Sequence, residues 1–134
     1  MNHVLVVEDD SMNALLFRKL IEKRCGYQVT VTESPDLVLE LVRGGGVGLV
    51  LMDVSLANTR YQGRPLNGVE LCRLLKSDPA TCGVPVVLVT AHAMRGDDET
   101  LLAESGADAY LSKPIIDHAA FVERIQRLAG REAA

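Results

Sequence analysis

Gly48-Leu49-Val50-Leu51-Met52-Asp53 sets four large apolar residues in a row and ends them on a carboxylate. An apolar run without alternation reads as a strand buried on both faces, which belongs in a parallel sheet covered by helices. In such sheets the functional groups lie just past the carboxyl ends of the strands. The run therefore carries Asp53 to the rim where an open α/β sheet does its chemistry. A simple helix cap would present the same acid, so this stretch alone leaves both readings open.

Three more runs decide between them. His3-Val4-Leu5-Val6-Val7 ends in Glu8-Asp9-Asp10. Val84-Pro85-Val86-Val87-Leu88-Val89 ends in Thr90-Ala91, and Ala109-Tyr110-Leu111 is followed by Ser112-Lys113-Pro114. Acids, a hydroxyl and a lysine all fall at carboxyl ends. In a parallel sheet those ends converge on one rim.

Composition narrows the class. A chain of 134 residues, 48% hydrophobic, suits one domain with one core. No apolar run approaches the roughly 20 residues of a membrane span. The N-terminus carries no basic region followed by a cleavable apolar segment, so a cytoplasmic, non-secreted protein is expected. A formal net charge of -4 argues against nucleic acid as the main partner. Cys25, Cys72 and Cys82 are odd in number and fit no metal spacing, and they read as free thiols. His3, His92 and His118 are too scattered for a zinc site.

The segments between the runs have helical periodicity. Ser11 or Asp10 can cap a helix beginning near Met12, with Leu15, Leu16, Leu20 and Ile21 inward and Cys25-Gly26 at its end. Gln28 to Thr32 reads as an edge strand. Ser34-Pro35-Asp36 opens a second helix with Leu37, Val38, Leu41 and Val42 inward. The glycine-rich stretch from Gly44 to Gly48 follows a helix and opens a strand, the reverse of a phosphate loop, and reads as a turn. Ala57 to Pro65 is an irregular polar stretch, long for a strand-to-helix connection. Asn67-Gly68-Val69-Glu70 opens a third helix with Leu71, Cys72, Leu74 and Leu75 inward, stopped by Ser77-Asp78-Pro79. A fourth runs from the acidic turn Gly96-Asp97-Asp98-Glu99 to Ser105-Gly106. The last buries Phe121, Val122, Ile125, Leu128 and Ala129, leaving a short frayed tail. Five strand-helix units predict an α/β fold, a parallel sheet with helices on both faces.

The rim so assembled holds Glu8, Asp9, Asp53, Thr90 and Lys113. Two unit charges about 4 Å apart repel by about 4 kcal/mol at an effective dielectric of 20, so clustered carboxylates need positive charge beside them. Lys113 supplies some, and a hard divalent cation with oxygen ligands, Mg2+, suits the rest. An exposed aspartate beside such an ion and a lysine is a good phosphoryl acceptor. The Thr90 hydroxyl can then bond the new phosphoryl group and change position, turning a local charge into a surface change.

The chain resembles the receiver domain of two-component response regulators along nearly its whole length. The matching marks are Val6-Val7-Glu8-Asp9-Asp10, Leu51-Met52-Asp53, Val89-Thr90-Ala91 and Ser112-Lys113-Pro114, in that order. Thr90-Ala91-His92-Ala93-Met94-Arg95-Gly96-Asp97 is similar to single-domain receivers of the cell-division-regulator type. The resemblance implies a flavodoxin-like (βα)5 fold with a five-stranded sheet ordered 2-1-3-4-5. It implies a receiver over residues 1–130, a disordered tail over 131–134 and no output domain. Asp53 would take a phosphoryl group from a sensor histidine kinase or phosphotransfer protein. Glu8, Asp9, Asp53 and the backbone carbonyl of Ser55 would hold magnesium. Thr90 and Tyr110 would form the switch pair, Lys113 would touch the phosphoryl group, and the Lys113-Pro114 bond would be cis. The signal would leave through protein contact on the face of the fourth helix, fifth strand and fifth helix, with no direct nucleic acid and no membrane partner. This chain departs from the family pattern at Ala57, where proline is usual, and in the length of the loop from Asp53 to Gly68.

Two other readings compete with a non-enzymatic phosphoacceptor. An aspartate-nucleophile phosphatase often places a second acid two residues on as general acid, and Ser55 serves that role poorly. A scaffold receiver that works without phosphorylation would not need the complete acidic set.

Overall fold

Burial without alternation is what the central strands display. In β1 (His3–Val7), β3 (Leu49–Asp53) and β6 (Val86–Thr90), every residue but His3 is buried. The structure, a computed structural model, describes residues 3–54, 60–90, 105–112 and 115–133, with side chains of the last helix described to residue 129. The main sheet is parallel and five-stranded, in the order β2 (Gln28–Thr32), β1, β3, β6, β7 (Ala109–Ser112). Counted along the main sheet alone this is the 2-1-3-4-5 order of a flavodoxin-like fold, and the weakly patterned second strand lies at an edge as expected.

Alternate residues of each strand feed two cores. Val4, Val6, Leu49, Leu51, Val87 and Val89 meet α1 (Ser11–Leu20) and the C-terminal helix α4 (His118–Ala133) on one face. Phe17 of α1 stacks on Phe121 of α4, ring centroids 5.7 Å apart. Leu5, Val7, Val50, Met52, Val86 and Leu88 meet α2 (Pro35–Arg43) and α3 (Gly68–Ser77) on the other.

The helix starts are chemical. Asp10 caps α1 by accepting from the Met12 N–H, Ser34 caps α2 through the Leu37 N–H, and Pro35 takes the first turn of α2. Asn67 and Glu70 form a reciprocal capping box on α3. A π-turn over Ile21–Cys25 ends on left-handed Gly26. At the edge of the sheet opposite its carboxyl rim, Lys76 Nζ donates to the Val84 carbonyl (2.7 Å) and to Asp108 (2.8 Å). The same Asp108 oxygen accepts from the Val86 N–H, so α3, β6 and β7 are latched together.

Four expectations change. Leu15 is 49% exposed, and Ala14, Phe17, Leu20 and Ile21 carry the buried face of the first helix. In α2 Leu39 is buried while Leu37 and Leu41 are only partly so, and in α3 Leu74 is partly exposed. A sheet above a helix covers a wider arc than one spacing rule marks, and it favours Phe17 over Leu15 by direction rather than hydrophobicity. The polar stretch before α3 is not irregular throughout: β4 (Arg60–Tyr61) and β5 (Arg64–Pro65) pair as a hairpin. Gln62 and Gly63 turn it, both with positive φ (52° and 80°). Finally, α4 runs to Ala133 rather than giving way to a frayed tail at 130. The fourth helix expected from 96 lies outside the described residues except at Ser105, which is helical.

Candidate functional site

Strand register builds the site. Val7 pairs with Met52, so the residues that follow, Glu8 and Asp53, stand side by side at the carboxyl rim. Alternation turns both toward the face carrying α1, the face that Val6 and Leu51 occupy. Asp53 pairs with Val89, which places Thr90 one residue beyond, at the end of the neighbouring strand. Glu8, Asp9 and Asp53 each offer a carboxylate oxygen, and these oxygens lie within 4.8 Å of one another. Glu8, Asp53 and Thr90 are buried to 4–5% exposure, and Asp9 is half-buried.

The three consecutive acids after β1 divide their work. Asp10 turns away to cap α1, accepting from the Met12 N–H (2.9 Å) and from the Asn13 amide (3.3 Å). Its own N–H donates to Glu8 (3.2 Å), which helps hold that carboxylate in place. Glu8 and Asp9 are left for the cluster with Asp53. Three oxygen donors with no nitrogen or sulfur among them suit a hard divalent ion, and repulsion among them is relieved by one. The cluster thus fits the expected Mg2+.

Thr90 and Tyr110 share a second relation. Tyr110 pairs with Leu88, two residues before Thr90, so alternation puts Thr90, Leu88 and Tyr110 on one face of the sheet. That is the α2–α3 face, where Tyr110 packs partly buried against the second core cluster. Ser55, Lys113 and the Lys113-Pro114 bond lie outside the described residues, as does the stretch from Ala91 to Asp97.

Sequence reading passed over Gly68 as anything but a helix start. A β-carbon there would overlap the carbonyl oxygen of Asp53 and lie 2.9 Å from Val54 Cα. Its N–H donates to the Val54 carbonyl (3.0 Å), so α3 begins against the backbone that carries the acid. The one available signal was a glycine at the first helical position, where side chains are normally tolerated.

Comparison with known proteins gives a consistent answer. The model of the response regulator receiver domain matches residues 4–126. The polar-differentiation response regulator DivK of Brucella ovis is 39% identical over 127 residues, covering 95% of each chain. DivK of Brucella anthropi is 38% identical over the same span. Among solved structures, the receiver domain of sensor histidine kinase PA1611 from Pseudomonas aeruginosa PAO1 superposes with a TM-score of 0.77 at 26% identity, covering 96% of this chain and 98% of that one. That structure holds a magnesium ion coordinated in its active site cleft. A putative response regulator from Chloroflexus aurantiacus, 24% identical with a TM-score of 0.80 and covering 97% and 98%, shares the fold.

Proposed function

Since the chain belongs to the response regulator receiver domain family, we propose that it is a stand-alone, non-enzymatic response regulator phosphorylated on Asp53. The observation that carries this is the three-carboxylate cluster at the carboxyl edge of the sheet, with Asp53 at the end of its central strand. The donor is a phosphohistidine of a sensor histidine kinase or phosphotransfer protein. A carboxylate oxygen of Asp53 attacks phosphorus, the P–N bond breaks, and the imidazole leaves with the electron pair. The product is an acyl phosphate.

Glu8 and Asp9, with Asp53, would hold magnesium, and the Ser55 carbonyl would add a ligand. Bound there, the ion supplies positive charge against the developing charge on the phosphoryl oxygens. Lys113 completes the neutralisation. Thr90 donates its hydroxyl to the phosphoryl group, and Tyr110, on the same sheet face, follows it as the switch partner. Exposed Met12 and Leu15 on α1, and Ile116 before α4, offer apolar contact for the donor protein beside the rim. Output goes to a protein target across the face that includes β7 and α4, in the cytoplasm.

Acetyl phosphate with Mg2+, read by intact mass, tests this. One phosphoryl group should add to the wild type and none to Asp53→Asn or in the presence of EDTA. Steady release of inorganic phosphate at enzymatic rates would make the protein a phosphatase instead. Absence of any adduct would leave a scaffold receiver.

A further inference from the structure

The hairpin between β3 and α3 walls an open groove of about 990 Å3. Tyr61 and Leu66 pack against the α2–α3 core, so the hairpin is anchored and the groove has a fixed shape. On the opposite wall Glu70, Arg73, Leu74 and Ser77 line it. Their spacing puts them on a single face of α3, which runs alongside the groove for about 10 Å at 1.5 Å per residue. Leu66 and Leu74 give the lining an apolar part.

The charges are unevenly committed. Lys76 is tied to Asp108 and two carbonyls, and the Glu70 carboxylate is turned to the Asn67 N–H in the capping box. Arg64 on the hairpin and Arg73 on α3 are exposed. Neither makes an ion pair or side-chain hydrogen bond among the described residues, whereas Arg18, Arg43 and Arg127 each pair with an acid of the chain. Two uncommitted guanidiniums thus face one groove of a chain whose net charge is -4. With a screening length of about 8 Å at physiological salt, the local pair and not the net charge governs what binds.

We propose that this groove docks an acidic segment of a partner protein. The segment lies extended along α3, with carboxylates on Arg64 and Arg73 and an apolar side chain on Leu66 and Leu74. About 10 Å accommodates about three extended residues at 3.3 Å each, a length that suits a peptide better than a compact anion. The guanidinium fork matches a carboxylate in a bidentate pair. The inference is independent of phosphorylation at Asp53, and the two can fail separately.

The test is selection of short random peptides displayed on phage against the full chain, with affinities then measured by fluorescence anisotropy. Acidic sequences with an apolar residue should be enriched. Their binding should weaken at least about tenfold in the double variant R64E/R73E and fall with added salt. Thermal melting and acetyl phosphate labelling of that variant should match the wild type, which separates lost docking from lost folding. Selected peptides without an acidic bias, or acidic peptides that bind R64E/R73E equally well, would overturn the proposal. Self-association of the chain, abolished by R64E/R73E, would assign the groove to a second copy and overturn it too.

Discussion

At Gly68 a single hydrogen separates a working site from a collision. Any β-carbon there meets the Asp53 carbonyl, and neither backbone can yield alone because Val54 accepts the Gly68 N–H. Gly68→Ala is therefore expected to cost about 1–3 kcal/mol, measured as a lowered urea midpoint. It should also slow acetyl phosphate labelling, since the strain falls on the residue that carries the acceptor. Cys72 illustrates the opposite case, a reactive group silenced by its place. Burial pushes its thiol from an ordinary 9.0 up to about 11. Because the folded value is the higher one, the neutral thiol favours folding below pH 9, and that contribution is lost as pH rises from about 9 to about 11. Native alkylation at pH 8 should modify exposed Cys82 and spare Cys72, and mapping the adduct by peptide mass checks it. The burial of Cys72 was legible from its place in the inward stripe of the third helix, whereas the constraint at Gly68 was not, because a glycine at a helix start looks ordinary until the neighbouring strand is in place.

At the scale of elements, caps and turns do the positioning. The Asn67–Glu70 box satisfies two backbone N–H groups at the start of α3, the turn that abuts Asp53. Asn67→Ala should cost about 1 kcal/mol, seen as a lower melting temperature. The same change at the cap of α2, Ser34→Ala, should cost a similar amount but leave the labelling rate at Asp53 intact, because α2 begins elsewhere. The Ser34-Pro35 and Asn67-to-Glu70 signals were readable in advance because capping is local chemistry. The β4–β5 hairpin was missed even though Gln62-Gly63 is a two-residue turn with glycine second. Its strands are two residues each, too short for any alternation to register. The exposed side of α1 was misjudged for a related reason: periodicity identifies a stripe, and the packing of Phe17 on Phe121 decides which stripe turns inward.

For the molecule as a whole, the carboxylate cluster is a stability statement. Three acid oxygens within 4.8 Å oppose folding unless a cation relieves them. Mg2+ should raise the melting temperature, by the equivalent of about 2.7 kcal/mol at a hundredfold excess over its dissociation constant. Asp9→Asn should shrink that shift, and calorimetric melts with Mg2+ against EDTA measure both. An unchanged shift would remove Asp9 from the ligand set. The order of unbroken apolar runs, each ending in polar residues, determined the parallel sheet and the placing of Glu8, Asp9, Asp53 and Thr90 at its carboxyl rim. It could do so because burial on both faces leaves such strands no other architecture and no other end for those residues. Tertiary structure alone decided that Gly68 must be bare and that Arg64 and Arg73 share a groove. Those outcomes turn on distances between residues far apart in the chain, which local spacing does not encode.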